Sequence, residues 1–215
     1  MVDPEDLEQV LLRIEKSYDI KFAPLELSHI RTFAELSDAI ISKIQLEEKD
    51  DCTDQQAFYK LRKAILSVYG TDVDAITPST DLTNVFPRAS RRKRLNTIQQ
   101  LLGFKLNALR PRRWMTTTTA VLVILSLAAF FVDWRYACSG LAIAIALTWV
   151  GKKTGIEFKD QTIGDLVRRI TAGNYLKSRR DSTSVNRKEI ERKIALLLKD
   201  ELDLPRMPER GDIII

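Results

Sequence analysis

The sequence predicts an all-α protein, with helical bundles on either side of a two-helix transmembrane hairpin. Three observations carry that prediction. Trp114 to Val132 holds no charge over nineteen residues, and Tyr136 to Val150 is uncharged again after the break Asp133-Trp134-Arg135. Outside this stretch, apolar residues recur at helical spacing. Two of those segments open on a threonine followed three positions later by an acid, the signature of a capping box: Thr32 with Glu35, and Thr162 with Asp165.

The hairpin takes residues 114–151. Nineteen residues rise about 28 Å, close to the ~30 Å of a bilayer core. The second run is shorter, and Trp134 and Gly151 extend it toward a full crossing. Trp114, Trp134 and Trp149 fall at span ends, where amphipathic rings favour the headgroup level. A buried hairpin inside a soluble domain is the other reading of the same run; length and flanking charge favour the membrane. Arg112 and Arg113 precede the first span, Lys152 and Lys153 follow the second, and the turn offers only Arg135 beside Asp133. The positive-inside rule then keeps both termini in the cytoplasm, in a membrane expected to be the bacterial inner membrane. The segment is internal and double, unlike a signal peptide. The basic approach from Arg88 to Arg113 suits a lipid surface, and no nucleic-acid partner is expected. Ser139, Gly140, Ala142, Ala144 and Ala146 would let two hairpins pack closely into a homo-oligomer.

Composition narrows the chemistry. Residues 1–54 carry fourteen Asp and Glu against six Lys and Arg, a net −8 inside a chain of formal charge +5. That acidic arm predicts a basic protein partner. Mean hydropathy is −0.15 although 45% of residues are hydrophobic, so polar arms offset the hairpin. Cys52 and Cys138 lack metal or CxxC spacing, and one histidine, His29, builds neither a triad nor a metal site. No phosphate loop, HExxH or GxSxG occurs. No catalytic or metal-binding residue is expected, and the chain reads as a non-enzyme.

In chain order, residues 1–46 hold the first capped helix, opening at Thr32 with Phe33, Leu36 and Ile40 at helical spacing. Residues 46–56 read as an exposed linker. Phe58–Tyr69 ends at Gly70, a natural stop, and opens the segment 53–110. Residues 155–172 hold the second capped helix, 173–186 a polar linker, and 187–215 a last helix, Ile190–Leu202. Two repeats emerge. Asp-Ile-Lys-Phe before Thr32 matches Gly-Ile-Glu-Phe before Thr162. The segment after Tyr69 matches the one after Leu202 without a gap: Val73 with Leu204, Ile76 with Met207, Asp81 with Asp212, Leu82 with Ile213.

These residues resemble the acyl carrier protein, or phosphopantetheine-binding, family in degenerate form. Residues 5–42 look like its last three helices, with Glu5–Tyr18 as the second, the stretch including Leu25-Glu26-Leu27 as the short third and Thr32–Ile44 as the fourth. Residues 56–106 with 162–170 look like a second copy interrupted by the hairpin. The C-terminal segment looks like a first helix, so a circularly permuted bundle joining 187–215 to 1–46 would complete the set; the alternatives are a partner chain supplying the missing helix, or unrelated helices at the two ends. Burial of an orphan stripe of Ile and Leu, roughly 1.5–3 kcal/mol per side chain, favours that closure. The family attaches phosphopantetheine to a serine opening its second helix. Here that position is Ser90, flanked by Ala89 and Arg91 rather than Asp and Leu; in the N-terminal copy it falls near Pro4. The resemblance implies a membrane-anchored docking protein without cofactor, or alternatively a tethered acyl carrier with phosphopantetheine on Ser90 for lipid or polyketide-like synthesis.

Overall fold

Apolar stripes on amphipathic helices demand partners, and the chain supplies them in two cores, one built from its ends and one from its middle. The computed structural model describes residues 4–70, 76–131 and 133–213, except the side chains of Pro4, Glu5 and Lys152. Its helices are α1 (Pro4–Tyr18), α2 (Phe33–Lys43), α3 (Thr53–Tyr69), α4 (Leu82–Val85), α5 (Arg91–Leu102), α6 (Arg113–Ala129), α7 (Trp134–Thr154), α8 (Ile163–Gly173), α9 (Tyr175–Ser178) and α10 (Arg187–Glu201). Two two-residue ladders complete it: β1 (Glu47–Glu48) runs parallel to β4 (Ser184–Val185), and β2 (Leu109–Arg110) antiparallel to β3 (Glu157–Phe158). The protein is mainly α-helical.

The terminal core joins Leu7, Val10 and Ile14 of α1 and Phe33, Leu36 and Ile40 of α2 to Ile190, Ile194, Leu197 and Leu198 of α10. The central core joins Leu61 and Ile65 of α3, Leu82 and Phe86 around α4, and Leu95 and Ile98 of α5 to Ile163, Leu166 and Ile170 of α8. The hairpin α6–α7 leaves the central bundle between α5 and α8, and β2–β3 closes its root.

Hydrogen bonds repeat between the bundles. Thr32 and Thr162 each accept from the third residue of the helix they cap, and Glu35 and Asp165 return the bond, which meets two of the four unpaired donors at each helix start. α1 corresponds to α5. Phe22 N–H donates to Glu15 Oε1 at 2.7 Å and Leu106 N–H to Gln99 Oε1 at 2.9 Å, while Asp19 and Gly103 both take positive φ, 53° and 75°. α10 corresponds to α3, with Asp203 and Gly70 both left-handed just after the helix, at 49° and 61°.

The loops after those two helices pair with the capped helices, and here the ungapped sequence match slips. Asp81 bridges Thr162, and it is Ile213, not Asp212, that bridges Thr32. Thr77 N–H donates to Thr80 Oγ1 and Glu209 N–H to Asp212 Oδ2, both at 2.9 Å, which sets Thr80 opposite Asp212. The C-terminal loop is therefore one residue shorter than its counterpart. Val73 lies outside the described residues.

Three other expectations change. Residues 24–29 form successive turns rather than a short helix, because Leu25 sits at φ 67°, where a side chain is strained and helical bonding stops. Residues 173–186 are not an exposed linker. Tyr175, Leu176, Ser178, Arg179, Ser184 and Val185 are buried, and the guanidinium of Arg179 donates to Thr53 Oγ1 (2.7 Å) and to the Asp51 carboxylate. Residues 46–56 likewise hold β1 and the first turn of α3. A charged composition looked solvated, yet burial is tolerable where most donors find acceptors: both terminal nitrogens of Arg179 do, while its Nε does not.

The last change concerns the hairpin. α6 and α7 pack side by side, but no helix among the described residues is long and apolar enough to cross a membrane. α6 has 17 residues, about 25 Å, and begins on Arg113. α7 has 21 residues but takes Arg135 into its first turn and Lys152 and Lys153 into its last. Val132 is outside the described residues.

Candidate functional site

Ser90 opens α5 at its N-cap with φ −111° and ψ −2°, and its hydroxyl makes no capping bond. Its backbone is committed all the same: Ser90 N–H donates to Pro87 O at 3.1 Å, and its carbonyl accepts from Arg94 N–H at 3.0 Å. The repeat sharpens its counterpart in the terminal bundle. Glu15 and Gln99 are equivalent, so the residue opposite Ser90 is Asp6, two residues from Pro4, and it has no hydroxyl.

The basic residues around Ser90 divide into two groups. Arg91 occupies the position of Leu7 and is as buried, at 7% exposure each. Its Nε donates to Phe86 O at 3.1 Å and a terminal nitrogen to Ile156 O at 2.5 Å, with the guanidinium 4.4 Å from the Phe158 ring centre. Desolvation and the neighbouring Arg88 weaken its hold on the proton, pushing its pKa down. Arg94 lies 3.9 Å from the ring centre of Tyr69. Arg88, Arg92 and Lys93 remain exposed.

Beyond α5 the root of the hairpin gathers Arg110, Arg112, Arg113 and Lys153, the last 4.9 Å from the Trp149 ring centre. Trp114 and Trp149 sit toward the root and Trp134 at the far end, each more than half exposed. The side chain of Lys152 is not among those described. Around the distal part Ile124, Leu125, Leu127, Phe130, Phe131, Ile143 and Ile145 are all exposed, Phe131 at 91%. Of the small residues, Gly140 and Ala144 face α6 within the hairpin, while Ser139, Ala142 and Ala146 face outward. A Cβ on Gly140 would stand 2.1 Å from Ser126 Oγ and 3.1 Å from Ser126 Cβ, so a larger residue here requires Ser126 to move. Asp133 caps α7 by accepting from Arg135 N–H at 2.9 Å.

Much of the acidic N-terminal arm is internally engaged. Glu15 and Glu35 hold backbone N–H groups, Glu26 pairs with Lys43 at 2.7 Å, Asp38 with Arg210 at 3.0 Å, and Asp54 with the buried Lys193. The backbone bonds hold the Glu35 carboxyl below its ordinary range. Asp6, Glu8 and Asp19 stay exposed.

The structure also assembles a feature no sequence pattern announced, a cleft of about 360 Å³ between the bundles. Four segments bring Lys16, Lys105, Lys159 and Lys177 to its rim. Nothing in their spacing along the chain marks them as neighbours. Cys52 and Cys138 are free and exposed, and among the described residues no cluster of His, Cys, Asp and Glu is placed to hold a metal ion. No protein-family model, no curated protein and no solved structure matches the chain.

Proposed function

We propose that this chain is a membrane-anchored docking protein built on degenerate carrier-like bundles, with no catalytic role. The observation that carries the reading is the exposed apolar surface of the hairpin, running from Val121 on α6 to Phe131 in the turn after it and from Ile143 to Val150 on α7. A soluble monomer rarely leaves so large a contiguous apolar patch in water. Lipid is the occupant its chemistry fits: tryptophans lie toward both ends, and arginines and a lysine ring the root. The hairpin embeds in the bilayer from the cytoplasmic face, and α6 falls a few ångströms short of the ~30 Å hydrocarbon core, a mismatch met by local thinning. Both bundles then stay on the side of the root.

Cys138, in the first turn of α7, is a built-in reporter. In a Cys52→Ser background a charged thiol reagent should label Cys138 in detergent and leave it protected in vesicles. Equal labelling in both, with no co-sedimentation of protein and lipid, rejects the membrane anchor.

One observation favours a second reading, a tethered acyl carrier: the Ser90 hydroxyl is free of capping duty. Co-expression with a promiscuous phosphopantetheinyl transferase would then add a pantetheine mass that Ser90→Ala removes. The exposed Arg88, Arg92 and Lys93 argue against it, because a docking enzyme that reads acidic helices meets like charge here.

A further inference from the structure

We infer that the cleft between the two bundles binds the phosphate headgroup of an anionic phospholipid, an inference that rests on the membrane reading above. Six cations line the cleft, and two of them are already spent: Arg13 pairs with Glu201, and Arg169 with Asp160 and Asp200. Those pairs also occupy Asp200 and Glu201, the acids of the lining. Lys16 on α1, Lys105 in the turn after α5, Lys159 after β3 and Lys177 in α9 have no ion-pair partner among the described residues. Four unpaired ammonium groups around one concavity set up a field that draws an anion. The volume suits a headgroup and lies within the range of small-molecule sites.

Position decides which anion. Lys159 N–H donates to Ala108 O at 2.9 Å, beside the β2–β3 pair from which the hairpin leaves and returns. Lys105 stands only a few residues before the same pair. With the hairpin in lipid, this edge of the cleft lies at headgroup depth. Lys16 and Lys177 close the cleft from the terminal bundle. They are set apart in sequence from the Arg110–Arg113 belt, which any anionic surface attracts.

The test uses the full chain and two double variants that lose the same charge: Lys16→Gln with Lys177→Gln in the cleft, and Lys21→Gln with Lys63→Gln, both exposed, away from it. Partitioning is measured onto phosphatidylglycerol vesicles and onto phosphatidylcholine vesicles, with tryptophan emission as the separate readout of insertion. At about five-fold per lysine near an anionic surface, the cleft pair should weaken phosphatidylglycerol binding about 25-fold. The control pair should change it little, and insertion into phosphatidylcholine should be unaltered in both. Equal loss in the two double variants means bulk attraction and overturns the cleft. Loss of the phosphatidylglycerol preference in millimolar inorganic phosphate at constant ionic strength means a soluble phosphate ligand and overturns the lipid assignment. Absence of any emission shift for the unmodified chain in either vesicle rejects the membrane reading itself.

Discussion

Truncation after Asn186 removes α10 and should unfold one bundle while sparing the other. Ile190, Ile194, Leu197 and Leu198 are each at most 4% exposed, and all four belong to the terminal core. At roughly 1.5–3 kcal/mol per buried side chain their loss amounts to about 6–12 kcal/mol. That compares with about 5–15 kcal/mol for the whole stability of a typical domain. The same cut removes the carbonyls of Arg210 and Asp212, which accept from Ala34 and Phe33 N–H at the start of α2. The central core contains no residue of α10 and loses polar contacts: Lys193 with Asp54 and Thr171, the Glu189 carboxylate that accepts from Thr53 N–H, and Asp200 beside Arg169. Trypsin with mass spectrometry should therefore find new cuts at Arg13, Lys16, Arg31 and Lys43, while α3, α5 and α8 keep their amide protection. Adding residues 187–213 as a separate peptide should restore the protection of α1 and α2. If residues 4–44 stay as resistant in the truncated chain as in the full one, the terminal core is not what holds them.

Smaller perturbations follow from single contacts. Thr162→Ala removes the cap of α8 and should cost about 1 kcal/mol in urea unfolding, with faster amide exchange in its first turn; unchanged exchange would sink the cap's role. Arg91→Ala leaves the carbonyls of Phe86 and Ile156 without their donor and opens a gap under Phe158, so a loss of about 2–3 kcal/mol is expected, and a neutral result would mean water replaces the guanidinium. Gly140→Leu drives a side chain into Ser126 and should separate α6 from α7, read as loss of an engineered α6–α7 disulfide's formation rate; an unchanged rate would show the helices are not in close contact. Burial raises the pKa of Asp160 despite Arg169 beside it, so its folded value exceeds its unfolded one. Its contribution to stability is then full below about pH 4 and is lost as the pH rises through the raised value. The stability of the unmodified chain minus that of Asp160→Asn should fall with rising pH in that window; a rise would reverse the assigned shift.

The capped helices were legible because their signals are local. Thr32 with Glu35 and Thr162 with Asp165 each lie within one turn, and the apolar positions behind them at 33, 36 and 40 and at 163, 166 and 170 are all buried. The stripe on α10 was legible as a demand for a partner, and α1 and α2 are what meet it. What escaped was long-range. Arg179 lies in a run of polar and charged residues that resembles a linker, and its burial depends on Thr53 and Asp51, brought from elsewhere in the chain. The left-handed Leu25 has no sequence signature, since a bulky aliphatic side chain is disfavoured there and is held by its surroundings. The lysine cleft needed the bundles to be docked before it existed.

Arg91 says more about the working of this protein than Ser90 does. The first residue of α5 faces the core and would be expected to be apolar, as Leu7 is at the matching place on α1. Here an arginine is buried instead, and burying one without acceptors would be costly. Its acceptors are Phe86 O, just after α4, and Ile156 O, just before β3, the strand by which the chain returns from the hairpin. The guanidinium thus clamps the start of α5 to the root of the hairpin, and Phe158 packs on it from the same strand. A hairpin spliced into a loop by flexible joints would leave the bundle free to tumble at the membrane. This one is fixed at both ends, by β2 against β3 and by Arg91. The basic start of α5 is therefore held in a constant relation to α6 and α7, which the proposed docking surface requires and a swinging carrier arm does not.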